Sequence, residues 1–274
     1  IQYASVSYMT YGFKFDGATY FYGADGDYLN VSHSHFRDIA SHIMDSGFRL
    51  YSGALMTFEH NIFSRYNYFL SSSSNYLYGG SILTIDDNVM EDGGYYFIDQ
   101  LRLYDVTEDG PTKMVMTNND INSSYAAINY IHINNYLEDE YSVIMKDNNI
   151  ATDNSSKMRF NGSSMTQGSV LLEGNVYTNV GLEFTNMKEA LVTGNTIQSY
   201  TDYYALYMYK SNVVVEYNDI IDNKRTGIYV NTDFNYLSAA DTIRYNTITG
   251  NNVYNYSGMY AGIVIENYAN PVIW

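Results

Sequence analysis

One six-residue pattern recurs along the whole chain and limits the folds open to it. The pattern is an apolar residue, two residues of any kind, Asn, one residue of any kind and a second apolar residue, as in residues 85–90 (IDDNVM) and 145–150 (MKDNNI). Eight copies carry the Asn, at Asn61, Asn88, Asn119, Asn148, Asn175, Asn195, Asn218 and Asn246. Two earlier copies carry Ala4 and Ser34 at that position, and successive copies lie 20 to 31 residues apart. A period of this length is the signature of a solenoid.

A second pattern follows most copies: a small residue and then alternating apolar positions. Examples are residues 12–15 (GFKF), 47–50 (GFRL), 181–184 (GLEF) and 227–230 (GIYV). Alternation with a period of two indicates a strand with one buried face. The chain is therefore predicted to be all-β, a right-handed parallel β-helix of about ten turns, whose coils stack about 4.8 Å apart.

The recurring Asn is predicted to have two structural roles. A sharp bend between strands needs a residue that tolerates the left-handed conformation, and Asn does so. Stacked coils also place identical amides in a column, where each can hydrogen-bond to the next, so the eight asparagines are predicted to form a ladder.

The combination of the two patterns resembles the parallel β-helix repeat superfamily. That superfamily includes pectate lyase-like enzymes, NosD-like periplasmic proteins and many microbial surface proteins. The resemblance covers essentially the whole chain and implies the fold rather than one activity. Residues 1–274 are predicted to be a single β-helix domain, excised from a longer protein with further sequence at both ends. Exposed solenoid ends would allow end-to-end self-association.

Composition excludes several classes of partner. The formal net charge is −16, with only 14 Lys and Arg, so nucleic acid is not an expected partner. No apolar stretch is long enough for membrane insertion. The chain has no Cys. Calcium is a candidate cofactor, and the acidic clusters are Asp25–Asp27, Glu108–Asp109 and Glu138–Glu140, although none has EF-hand spacing.

The outward positions of the second pattern are predicted to form a surface face. Aromatic side chains offer flat apolar area to sugars, and adjacent Lys14 and Arg49 could hold an anionic sugar. The candidate catalytic residues are Lys14, Arg49, Arg159 and Glu183, and the candidate glycan-contacting residues are Tyr96, Tyr207 and Tyr229. An ordinary solvated β surface explains the same residues.

A further column is predicted at the third position of the six-residue pattern. His33, His60 and Asp87 occupy this position on three successive turns. Two imidazoles and a carboxylate could bind zinc or a similar metal, or act as an acid–base pair. A stack of polar turn residues is the alternative interpretation.

Three functions follow as hypotheses. The first and favoured one is a non-catalytic extracellular or cell-surface module, such as an adhesin, sheath or envelope component, which contacts a polysaccharide or a neighbouring envelope protein. The second is an enzyme acting on an acidic polysaccharide, as a lyase, glycoside hydrolase or epimerase. The third is a NosD-like metal-binding periplasmic protein.

Overall fold

The computed structural model of the chain describes residues 1–14, 19–23, 28–45, 47–70, 75–104, 110–134, 140–163, 167–233, 241–251 and 261–274. The regular structure of these residues consists of short strands. Those in the first half of the chain are β1 (Ser5–Ser7), β2 (Tyr11–Lys14), β3 (Thr19–Tyr22), β4 (Tyr28–Ser32), β5 (His35–Asp45), β6 (Phe48–Tyr51), β7 (Leu55–Glu59), β8 (Ile62–Leu70), β9 (Tyr76–Tyr78), β10 (Ile82–Asp86), β11 (Val89–Gly93), β12 (Tyr96–Tyr104), β13 (Lys113–Thr117), β14 (Asp120–Ser123) and β15 (Ala126–Asn134).

The strands of the second half follow in the same order. They are β16 (Val143–Lys146), β17 (Asn149–Gly162), β18 (Ser169–Glu173), β19 (Val176–Thr185), β20 (Glu189–Thr193), β21 (Thr196–Gln198), β22 (Tyr204–Tyr209), β23 (Val213–Glu216), β24 (Asp219–Ile221), β25 (Thr226–Thr232), β26 (Thr242–Arg244), β27 (Thr247–Thr249), β28 (Ile263–Asn267) and β29 (Val272–Ile273).

The strands pair in parallel and form two sheets that run the length of a solenoid. The smaller sheet has ten strands, namely β4, β7, β10, β13, β16, β18, β20, β23, β26 and β29, and the larger sheet has the other nineteen. The parallel β-helix predicted from the repeat is confirmed, with about eight turns, slightly fewer than the ten expected.

The smaller sheet shows why the six-residue pattern needs an apolar first position. Phe58 pairs with Ile85, and Ile85 pairs with Met116, so equivalent positions of successive coils lie in register. All three side chains are fully buried. Apolar side chains stacked in this way remove area from water at about 25 cal/mol per Å², which is the main favourable term in folding.

The eight asparagines lie in one continuous column at the bend after the smaller sheet. Each Nδ2 donates to Oδ1 of the next Asn at 2.8–3.0 Å, from Asn61 through Asn246. Each Oδ1 also accepts the backbone N–H of the preceding Asn, and Ser34 enters the column by donating its N–H to Asn61. The column therefore satisfies buried backbone groups that the bend would leave unpaired.

The Asn was predicted to be the left-handed residue of this bend. In the structure, the residue before the Asn has the left-handed conformation instead. His60 has φ 55°, Asp87 has φ 49° and Asn118 has φ 57°. The prediction is wrong for a physical reason: the Asn amide must point inward to reach its neighbours, so the residue before it makes the turn and leaves its side chain outside. Gly174 and Gly194 fill the same position with φ 69° and 65°.

Candidate ligand-binding face

Outward side chains of the larger sheet stand in columns because equivalent strands pair in register. Arg159 pairs with Glu183 on the next coil. Glu183 pairs with Tyr207, which in turn pairs with Tyr229. These four residues therefore stack in one column over four successive coils.

Lys14 and Arg49 do not belong to that column, and their predicted adjacency is wrong. Lys14 ends β2, and its Nζ lies 5.4 Å from the centre of the Tyr11 ring. Arg49 lies on β6 and pairs with Tyr20 of β3. The two segments share the same alternation but lie on different strands of the coil, because the number of residues between bends varies.

Arg49 belongs instead to a column in which Tyr and Arg alternate, here called the arginine–tyrosine ladder: Tyr20, Arg49, Tyr76 and Arg102. The Arg49 guanidinium lies 5.3 Å from the Tyr20 ring centre and 5.2 Å from that of Tyr76. The Arg102 guanidinium lies 5.4 Å from the Tyr76 ring centre. These separations are within the range of cation–π attraction.

The three predicted glycan-contacting tyrosines differ in how much surface they offer. Tyr229 is only 7% exposed, its ring stacks on Tyr204 at 4.2 Å, and its hydroxyl donates to Glu266, so little of it can reach a ligand. Tyr207 is half-buried, and burial with the nearby carboxylate of Glu183 raises its pKa to about 12. Tyr96 lies outside this column and lines a cleft.

That cleft, here called the cationic cleft, has a volume of about 220 Å³. Its lining residues are Tyr96, Tyr125, Ala126, Asn129, Ser155, Ser156, Lys157, Arg159, Tyr200 and Asp202. Tyr125 is half exposed and meets the Tyr96 ring edge-to-face at 5.4 Å. The cleft thus combines two cations with an aromatic wall.

The cations of the cleft are held by a network that runs along the sheet. The Glu183 carboxylate lies 3.6 Å from Lys157 Nζ and 3.9 Å from Arg159 Nε. Arg159 Nη1 donates to Asn129 Oδ1 at 2.8 Å, and Asn129 Nδ2 donates to Asp99 Oδ1 at 2.9 Å. The network fixes the direction of the guanidinium and leaves the side chain of Arg159 40% exposed.

Two further lining residues, Tyr200 and Asp202, lie in the bend between β21 and β22. Tyr200 is almost fully buried, and its hydroxyl donates to Asp202 Oδ2 at 3.4 Å. Burial, with the nearby carboxylate of Asp202, raises the pKa of Tyr200, so the phenol keeps its proton. The cleft therefore combines the ammonium of Lys157 and the guanidinium of Arg159, which are donors to an anionic ligand, with a phenol held by the Asp202 carboxylate.

The sequence did not indicate most of these lining residues. Lys157 stands two positions before Arg159 on the same strand, and the alternation of residues 157–160 would have placed it outward. Tyr125 and Tyr200 lie in bends whose lengths differ between coils, and Ser155 lies where the register of β17 shifts, so no periodic signal marks them.

The predicted metal column is stacked as expected at its three bends. The His33 and His60 rings lie 4.9 Å apart, and His60 Nδ1 is 2.7 Å from Asp87 Oδ2. Among the residues that the structure describes, no group of three or more His, Cys, Asp or Glu side chains could hold a metal ion. Of the acidic clusters named for calcium, Asp25–Asp27, Glu108–Asp109 and Glu138–Asp139 lie outside the described residues.

Within the described ranges, no helix has the length and apolar character needed to cross a bilayer.

Comparisons with known proteins bear on the fold. No protein of curated function and no solved structure matches the chain. The family described as right handed beta helix region matches residues 136–273, half of the chain. Together with the two parallel sheets and their stacked bends, this match shows that the chain belongs to the right-handed β-helix family.

Proposed function

We propose that this protein is a non-catalytic β-helix module that binds an acidic polysaccharide in the cationic cleft. The observation that carries the proposal is the placement of Lys157 and Arg159 beside Tyr96 and Tyr125 in one cleft. The carboxylate of a uronic acid would meet the two cations, and the apolar face of its ring would pack on the exposed Tyr125.

The net negative charge of the chain makes two neighbouring cations, Lys157 and Arg159, informative about the ligand. The chain has a formal net charge of −16, so its long-range field repels polyanions. An anionic polymer would therefore bind where cations cluster, and Lys157 and Arg159 place two cations in one cleft with Glu183 as their shared counter-ion. Guanidinium and ammonium groups hydrogen-bond carboxylates more strongly than neutral donors do.

Binding without cleavage fits the cleft better than glycoside hydrolysis does. Hydrolases need two carboxyl groups on either side of the glycosidic bond. Among the described residues that line the cleft, Asp202 supplies the only carboxylate. Glu183 lies beside Lys157 and Arg159 as their counter-ion. An extracellular or cell-surface location is part of the proposal, since that is where such polymers occur.

The test compares polygalacturonate with a neutral polysaccharide by isothermal titration calorimetry. We expect polygalacturonate to bind the wild-type protein and Arg159→Gln to weaken binding roughly tenfold or more, since a hydrogen bond to a charged group contributes about 1.5–3 kcal/mol. Lys146→Gln is the matched control. It removes one charge from the smaller sheet, where Lys146 pairs with Glu173 at 2.6 Å, and it should leave binding unchanged.

Equal binding of the acidic and neutral polymers would contradict the proposal, and so would equal losses in both variants. The enzyme alternative has its own readout. Incubation with polygalacturonate would produce new double bonds, seen by ultraviolet absorbance, or new reducing ends, and Arg159→Gln would abolish them. The metal alternative would be supported by stoichiometric zinc that survives dialysis and is lost in His60→Ala.

A further inference from the structure

Arg49 and Arg102 are unusual cations in so acidic a chain. In the part of the chain that the structure describes, neither guanidinium has a carboxylate oxygen within 4.0 Å. Their hydrogen-bond partners are phenols: Arg49 Nη1 lies 3.3 Å from Tyr20 Oη, and Arg102 Nη1 lies 3.1 Å from Tyr76 Oη. By contrast, Arg65 forms a two-pronged pair with Asp38, including a 2.9 Å contact.

The two guanidiniums also keep unused hydrogen-bonding capacity. Each carries five N–H donors, and phenol oxygens satisfy few of them. Arg49 Nε is buried and has no hydrogen-bond partner. An unpaired buried donor of this kind costs about 1–3 kcal/mol.

A second cleft, here called the histidine cleft, opens beside Arg102. It has a volume of about 280 Å³ and is lined by Arg102, Tyr104, Tyr130 and His132. The rings of Tyr130 and His132 lie nearly parallel, 6.3 Å apart. Burial and the neighbouring Arg102 lower the pKa of His132, so Arg102 carries the positive charge of this cleft at neutral pH.

Strand pairing connects this cleft to the cationic cleft. Tyr130 of the histidine cleft pairs with Arg159 of the cationic cleft on the next coil. Arg102 lies one coil before His132, so it is two coils from Arg159 and two residues along the strand. With coils about 4.8 Å apart and about 3.3 Å per residue, the two backbone positions are about 12 Å apart. Arg49 lies two coils before Arg102 in the same column, so its backbone is about 10 Å from that of Arg102, on the side away from Arg159.

We propose that the histidine cleft is a second anion-binding site, which takes a carboxylate or sulfate group through Arg102 and the phenols of Tyr104 and Tyr130. The inference rests on the proposed function in one respect: the polymer bound in the cationic cleft runs along the rod and places a later anionic group here. The arginine–tyrosine ladder continues the same line, with Arg49 as its next cation.

The experiment uses the histidine ring as a local reporter. The chain has 5 His, so the imidazole resonances can be followed by NMR during titration with sodium sulfate. We expect sulfate to shift the His132 resonances and to leave those of His60, on a distant bend, unchanged. Arg102→Gln should abolish the shift, whereas the matched Arg244→Gln, which removes an Arg paired with Glu216 on the smaller sheet, should not.

Oligogalacturonates of increasing length then separate this site from the cationic cleft. Oligomers too short to reach both clefts should bind the wild-type protein and Arg102→Gln equally. Longer oligomers should bind the wild-type protein at least tenfold more tightly than Arg102→Gln, because the second contact is intramolecular. Arg159→Gln should weaken both classes.

The outcomes distinguish the two proposals. If sulfate leaves His132 unmoved, or if Arg102→Gln and Arg244→Gln behave alike, the second site is overturned. If sulfate shifts His132 but no oligogalacturonate binds, the anion site stands and the proposed function fails. If short oligomers bind and length has no effect, the proposed function stands and the path along the rod is refuted.

Discussion

Removal of one amide from the Asn column should destabilise the fold far more than loss of a surface amide. Asn119 is 1% exposed. Its Nδ2 donates to Ile85 O at 2.8 Å and to Asn148 Oδ1 at 2.9 Å. Its Oδ1 accepts from both the backbone N and the Nδ2 of Asn88 at 3.0 Å. The change Asn119→Ala removes all of these bonds at once.

The expected cost follows from which groups lose their partners. Asn88 Nδ2 keeps the carbonyls of Phe58 and Asp86, but the Asn88 backbone N–H loses its acceptor inside the protein. One unpaired buried donor costs about 1–3 kcal/mol, and each of the other lost hydrogen bonds contributes about 0.5–1.5 kcal/mol. We therefore expect Asn119→Ala, which loses one acceptor for a buried N–H and three further hydrogen bonds, to lower the free energy of unfolding by about 3–7 kcal/mol.

Urea unfolding followed by far-ultraviolet circular dichroism measures this change. Asn122→Ala is the control, since Asn122 is exposed on the next strand, and it should change the free energy of unfolding by no more than about 0.5 kcal/mol. If the two variants lose similar stability, the column does not stabilise the coil as argued.

Two further predictions concern a buried carboxyl and a crowded glycine. Burial raises the pKa of Asp241 to about 7, so the folded chain holds a proton between about pH 4 and 7 that the unfolded chain releases. The free energy of unfolding should therefore fall as pH rises through that window. Asp241→Asn should remove this fall and be more stable than wild type by up to about 4 kcal/mol above pH 7, as measured by urea unfolding at several pH values. The exposed Asp153→Asn is the control and should show the wild-type pH profile, whereas a wild-type profile for Asp241→Asn would contradict the prediction. Gly227→Ala would place Cβ 2.7 Å from Gly262 O and should cost about 1–3 kcal/mol, whereas Gly262→Ala, whose Cβ would meet only a methyl group at 3.3 Å, should cost less in the same assay.

The sequence was sufficient to predict the coil because the constraint that makes it is local and repeated. Eight copies of the six-residue pattern place a polar amide between two apolar positions, so the pattern remains recognisable although two copies depart from it. The left-handed position was assigned one residue too late, although its signal was present: Asp87, Asn118, Asp147 and Gly174 are residue types that tolerate positive φ.

The surface columns were predictable only where neighbouring coils have similar strands. The column from Arg159 to Tyr229 follows from alternation on strands that pair directly. Lys14 was misplaced because alternation has a period of two and does not say to which strand of a coil a segment belongs. Register in a parallel solenoid is set by bend lengths, and these vary between coils.

The division between inward and outward positions explains why the fold was easier to infer than the site. Inward positions must repeat, because each coil packs on an equivalent coil above and below it. Outward positions face solvent and are free to differ. The guanidiniums of both clefts occupy such positions: Arg159 pairs with Tyr130 and Glu183 on the neighbouring coils, and Arg102 pairs with Tyr76 and His132. An irregularity in a regular array, here a guanidinium group among outward Tyr side chains on an acidic rod, is therefore where we look for binding.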